Sequence, residues 1–129
     1  MIRELLAFVT PRFIENAPQR FFATVPEHLS FSDAILRGCQ LTHPNSAVYL
    51  SKGGACVLGA AVVGAGWTDR SWDPMRPGGR EFYERYFGPL GELHNLYANA
   101  YGRRTSFERD FANGISREEI ARRFKALGR

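Results

Sequence analysis

Lys52 to Gly66 reads KGGACVLGAAVVGAG, and the fold turns on whether this run is a helix or a strand. Nearly every position is apolar, so periodicity alone does not separate a buried helix from a buried strand. Length and composition do. A run of about eleven residues without a polar break, with Ala55, Ala60 and Ala61 inside it, favours a helix starting after Gly54. Gly59 then stands in the helix interior, where glycine costs roughly 1 kcal/mol relative to alanine. A helix that accepts this cost commonly does so to let another backbone approach. The expectation is a central helix, apolar on all sides and closely packed on at least one.

Working outward, Ala47-Val48-Tyr49-Leu50 is a short strand candidate that ends at the Lys52-Gly53-Gly54 turn. Its partner candidate is Ala23-Thr24-Val25. Before it, Ser30 and Ser32 offer caps for a helix from Asp33 to Arg37 that buries Ala34 and Ile35 and stops at Gly38. The first residues suggest short helices: Ile2, Leu5, Leu6 and Val9 recur at helical spacing, and Thr10-Pro11 opens a second helix carrying Phe13 and Ile14. Pro18 and Pro26 then interrupt the chain, and Phe21-Phe22 lie between them.

Downstream of the central run, Trp67 to Gly79 reads WTDRSWDPMRPGG and has no periodicity. Loops of that length are commonly functional or disordered, and two tryptophans argue against disorder. Arg80 to Phe87 returns to helical spacing through the pairs Phe82/Tyr86 and Tyr83/Phe87, and Gly88-Pro89 stops it. Leu93, Leu96, Tyr97, Ala100 and Tyr101 make the next amphipathic helix, which ends at Gly102. Thr105 with Glu108 reads as a capping box opening a short helix to Gly114. Ser116 with Glu119 is a second capping box, stapled by Ile115 and Ile120, and Ile120, Ala121, Phe124 and Leu127 form that helix's inner face.

The 129 residues fit one domain able to bury a core without staples. Ten Phe, five Tyr and two Trp point to a core or a binding face built from rings. The net charge of +4 comes almost wholly from arginine, since lysine occurs only at Lys52 and Lys125. Such a surface suits carboxylate, phosphate or nucleic-acid partners, although coding bias alone produces it too. Cys39 and Cys56 sit in apolar company and in no metal-ligand spacing, which favours reduced, buried thiols and a cytoplasmic protein. Sequence leaves a Cys39–Cys56 disulfide open. Met1 to Val9 is too short and too charged for a signal peptide, and residues 53–66 are too few to span a bilayer.

Four surfaces carry candidate chemistry. Gly54 and Gly59 have the glycine spacing of a phosphate loop, but Ala60-Ala61 stand where Lys-Ser/Thr is needed. A tight turn into a packed helix explains the glycines better, leaving at most a phosphate held by bare amides and Lys52. Cys56 at a helix start would have its thiolate stabilised by the dipole, yet His28, His43 and His94 stand in no recognisable spacing as its base. Three scattered histidines imply no metal set and no cofactor. The aromatic loop is the third surface: Trp67, Asp69, Arg70, Trp72, Asp73 and Arg76 could form a ligand or protein contact, with a lid folded over the core as the alternative.

The fourth is the segment Gly114-Ile115-Ser116-Arg117-Glu118-Glu119-Ile120-Ala121, which resembles the first helix of helix-turn-helix domains. In those families a recognition helix comes next and reads the major groove; here no such helix is present before Arg129. Any nucleic-acid contact would fall to Arg117, Arg122, Arg123, Lys125 and Arg129 on phosphates. A broader pattern, Gly53 to Ala61 with Phe107 to Ala121, resembles small uncharacterised bacterial proteins of unknown function. That resemblance implies no activity.

The expectation is therefore a mainly α, single-domain bundle of short helices around Gly54–Gly64, with room for one short β pair near Ala47–Leu50. Its function is expected to be that of a non-enzymatic binding or protein-interaction module, with no membrane partner. Lys52, Gly53, Gly54, Trp67, Asp69, Arg70, Trp72, Asp73 and Arg76 are the candidate contacts for a small ligand or protein. A homodimer through aromatic or small-residue surfaces fits the same composition. An accessory nucleic-acid-binding protein is the alternative, and a thiol enzyme using Cys56 stands third.

Overall fold

The computed structural model describes residues 29–129. The expected helices around Val9 and Pro11, the Phe21-Phe22 pair and the Ala23–Val25 strand candidate lie outside the described residues. Those described are mainly helical, with one small sheet. In chain order they run α1 (Phe31–Leu41), β1 (His43–Pro44), β2 (Leu50–Ser51), β3 (Gly54–Ala55), α2 (Val57–Gly64), α3 (Pro77–Phe87), α4 (Glu92–Tyr101), α5 (Phe107–Ala112) and α6 (Arg117–Ala126).

Helix α1 starts where Ser30 Oγ accepts a hydrogen bond from the Asp33 amide at 3.1 Å. It does not stop at Gly38. It runs on to Leu41 and is closed by Thr42, whose hydroxyl donates to the Gly38 carbonyl at 2.7 Å. The glycine serves packing, not termination. A Cβ placed on Gly38 would lie 1.7 Å from the Ala60 carbonyl oxygen, and one on Gly64 would lie 1.8 Å from that of Ala34. Helices α1 and α2 thus cross backbone to backbone, each offering a glycine at the contact.

The sheet has the order β1-β3-β2, with β1 parallel and β2 antiparallel to β3. Its antiparallel half is a hairpin. Lys52 and Gly53 are the two turn residues, with φ of 51° and 82°, as the primed two-residue turns that match strand twist require. The strand candidate at Ala47–Leu50 is shifted to Leu50–Ser51, and its partner is Gly54–Ala55 from the central run itself. For that reason α2 begins at Val57 and not directly after Gly54: two residues go to β3, and Cys56 becomes the N-cap.

Every residue of α2 is buried. The close approach expected at Gly59 is present, because a Cβ there would lie 1.7 Å from the Tyr49 carbonyl oxygen. Around α2 the core is a cluster of rings centred on Phe31, which meets Phe124 at 4.8 Å, Phe87 at 5.1 Å and Phe107 at 6.0 Å, all edge to face. These are the quadrupole-favoured geometries, each worth about 0.5–1.5 kcal/mol beyond burial.

Helix α3 takes Pro77 at its first position and so begins before the expected Arg80. The pairs Phe82/Tyr86 and Tyr83/Phe87 lie 6.2 and 5.3 Å apart, as the spacing predicts. Helices α4 and α6 match expectation closely: Gly102 caps α4, and Ser116 Oγ accepts from the Glu119 amide at 3.0 Å to open α6. At α5 the capping residue is Ser106, which accepts from the Arg109 amide at 3.1 Å. The neighbouring Thr105 instead donates to Asp110 at 2.6 Å, and the Glu108 side chain is directed to the amides that open α2.

Candidate functional site

Two adjoining concavities share Val48 and Tyr49 as a common wall. The larger is a groove of about 550 Å³ lined by Tyr49, Trp67, Asp69, Trp72, Asp73 and Arg76, with Gly78 and Gly79 at one end. Helix α3 and the hairpin position it. Trp72 forms a bridge with Leu50 on the sheet edge, its amide donating to the Leu50 carbonyl at 3.3 Å. It is 4% exposed and packs against Tyr83 at 6.2 Å. Tyr49 stands perpendicular to it at 5.9 Å. Trp67 is half-buried and held by Phe82, 5.2 Å away at 68°.

The loop covers the core through Trp72, as the lid alternative has it, and it also lines a groove. Both indole N–H groups are used internally: Trp67 Nε1 donates to the Ser71 carbonyl at 2.9 Å and Trp72 Nε1 to the Gly79 carbonyl at 3.0 Å. Asp73 Oδ1 accepts from the Met75 amide at 2.8 Å, which sets the turn before α3. Among the described residues no ion pair joins Asp69 or Asp73 to Arg76. Arg70 is exposed and does not line the groove, and neither do Lys52, Gly53 and Gly54, which are spent on the hairpin.

The smaller cavity, about 310 Å³, is lined by Ser46, Ala47, Val48, Tyr49, Cys56 and Glu108. Glu108 reaches from α5 to the start of α2. Its two carboxylate oxygens accept from the Val57 amide at 3.2 Å and the Leu58 amide at 3.1 Å. Cys56 Sγ accepts from the Gly59 amide at 3.5 Å. The amides that a bare phosphate would need are thus occupied by the chain's own groups. A carboxylate near a helix N-terminus also complements the dipole. Sequence reasoning misses this role because the spacing of Glu108 from Thr105 also fits a capping box within one helix.

Burial raises the Cys56 thiol, and the adjacent Glu108 carboxylate raises it further, to well above the ordinary thiol range. A thiol held protonated in this way is not an activated nucleophile. Burial likewise pushes Cys39 up to about 12. Both cysteines are free.

Burial also lifts Glu108 above its ordinary value of 4.5, against hydrogen bonds from Cys56, Leu58 and Val57 and the field of Arg117. An acid whose folded value is raised stabilises the fold fully below the unfolded value and loses that contribution as pH rises through the folded one. Glu108→Gln should therefore remove one segment of the pH dependence. Urea unfolding should show the wild type's advantage over Glu108→Gln shrinking as pH climbs from 4.5 towards neutrality. A gap that stays constant with pH would contradict the assignment.

The C-terminal cations are not one patch. Arg117 is 2% exposed and points inward, donating to Thr42 Oγ1 at 2.8 Å, the Thr42 carbonyl at 3.0 Å and the Ala55 carbonyl at 3.2 Å. It is not available as a phosphate contact, which corrects the expectation from sequence. Arg123 is half-buried and bonded to Tyr97 Oη, Asp110 and Glu119. Arg122 pairs with Glu119, and Arg129 with Glu92 at 2.6 Å. Lys125 is exposed. The helix-turn-helix likeness of α6 is therefore met by a helix whose first cation is a core residue.

Among the described residues no helix is long and apolar enough to cross a membrane, and no group of three or more His, Cys, Asp or Glu is placed to hold a metal. No protein-family model matches the chain, nor does any curated protein or solved structure.

Proposed function

We propose that this chain is a cytoplasmic, non-enzymatic binding module whose site is the groove between Tyr49, Trp67 and Trp72. The observation that carries the reading is the convergence of the aromatic loop and the Tyr49 segment on one concavity of about 550 Å³. That size lies within the roughly 300–1,000 Å³ range of small-molecule sites, whereas a protein interface needs a broad surface of roughly 800 Å² per partner. A small organic ligand is therefore favoured over a protein partner. Free cysteines at both positions support a reducing compartment. The protonated state of the Cys56 thiol supports binding without covalent chemistry.

The chain's two tryptophans both line the groove, so tryptophan emission, excited selectively over tyrosine, reports on that place. A panel of amino acids, amines, nucleotides, sugars and fatty acids should contain one class that shifts the emission and raises Tm. The shift should weaken strongly in Trp67→Leu. Emission unchanged by every class at millimolar concentration would overturn the reading. A response only to a protein partner would replace the small ligand with an interface.

A further inference from the structure

The lining of the groove is unusual in how its polar groups are disposed. Its two indoles have no N–H left to offer, because Ser71 and Gly79 carbonyls already take them. What Trp67 and Tyr49 present is therefore largely ring surface, Trp72 being only 4% exposed, and a ring face attracts cations and repels anions placed over it. Two carboxylates, Asp69 and Asp73, stand on the same groove, and Asp73 Oδ2 is not used by the turn that engages Oδ1. Rings and carboxylates together favour a positive group.

Among the described residues the groove also carries one cation. Arg76 is exposed and lines it at the start of α3, where it is the N-cap residue yet makes no side-chain cap hydrogen bond. The first turn of α3 holds no acidic residue. A purely cationic ligand would face Arg76 without compensation, and a purely anionic one would face Asp69 and Asp73. A ligand carrying both signs answers both ends. Resting on the binding reading above, we propose that the groove takes a small zwitterion of the amino-acid or betaine type. Its ammonium group lies against the rings, held by Asp69 and Asp73, and its carboxylate is met by Arg76.

Three probes separate the two charges: glycine betaine, tetramethylammonium and acetate, each titrated against tryptophan emission. Glycine betaine should bind about tenfold more tightly than either half alone. Asp69→Asn and Asp73→Asn should each weaken glycine betaine and tetramethylammonium about tenfold while leaving acetate unweakened. Arg76→Gln should weaken glycine betaine and acetate but not tetramethylammonium. Asn at 73 keeps the side-chain oxygen that the Met75 amide needs, and Asp69 and Arg76 are exposed, so unchanged Tm values should certify the fold. The zwitterion assignment is overturned if either half matches glycine betaine, or if Arg76→Gln leaves its affinity intact. Should another class perturb the tryptophans while glycine betaine does not, the assignment falls and the binding reading stands. Should no class perturb them, both fall.

Discussion

Replacing Gly38 or Gly64 by alanine is expected to destabilise the protein by about 3 kcal/mol or more each, the upper end of what overpacking costs. Helix propensity alone points the other way, since alanine in a helix interior is favoured over glycine by about 1 kcal/mol. The sign is reversed by the crossing of α1 and α2. The added methyl would sit 1.7 Å from the Ala60 carbonyl oxygen in one case and 1.8 Å from the Ala34 oxygen in the other. Neither obstacle is the tip of a movable side chain. Both are backbone atoms of fully buried helical residues, so the helices must separate, and the core rings around Phe31 lose contact with them. Gly78→Ala is the control, because a methyl there meets nothing within 4 Å. Urea unfolding of the three variants should show Gly38→Ala and Gly64→Ala far below wild type and Gly78→Ala close to it. Alanine tolerated at 38 or 64 would mean that the two helices cross more loosely than these distances require.

These glycines also mark where sequence is legible and where it is not. The close approach at Gly59 is readable in advance because, once the phosphate-loop spacing fails at Ala60-Ala61, packing is what explains a glycine amid apolar helix formers. Gly38 carries the same meaning but comes after five residues of plausible helix, where a stop signal looks the same. The difference is the partner, Ala60, and contacts between segments far apart in the chain leave no local trace. The same limit hides Glu108 and Arg117. A carboxylate three residues after a threonine, and an arginine one residue after a cap, both look like helix-end chemistry, and both side chains are used across the fold instead. The amphipathic helices α4 and α6 are clear because their signals are local. Of the candidate site, the aromatic loop is legible from its composition, but its union with Tyr49 needs the hairpin, whose register depends on Gly54–Ala55 serving as strand.

Arg117→Met should cost about 3 kcal/mol, in the range for deleting one partner of a buried charged hydrogen-bond set. The side chain is 2% exposed, and its two terminal nitrogens bind three acceptors. Its Nε finds no acceptor among the described residues, so the set is already at the limit of what this pocket can satisfy. Methionine fills much of the volume but leaves the Thr42 carbonyl without the arginine donor. The Ala55 carbonyl is less affected, since it also accepts from the Asn45 amide at 3.1 Å. Arg117→Lys keeps the charge but loses the planar fork that reaches Thr42 and Ala55 together, so most of the loss should remain. Thr42→Val, removing only the hydroxyl acceptor and the bond to Gly38, should cost less than Arg117→Met. Denaturant midpoints with unchanged slopes would report these as stability differences. An Arg117→Met protein within about 0.5 kcal/mol of wild type would show that the buried guanidinium contributes little net stability.

The groups that finish the start of α2 and the strand before it come from late in the chain. Its first two amides await a side chain 51 and 50 residues downstream, and the strand before it awaits a guanidinium 62 residues away. During synthesis the most apolar segment therefore leaves the ribosome with α1 already made but well before these later partners exist. At about 5–20 residues per second that interval lasts several seconds. A helix buried on every side in the finished fold is, for that time, a sticky surface on a nascent chain. Slowing translation between Gly64 and Glu108 should raise the aggregated fraction, and a holdase chaperone supplied during synthesis should lower it.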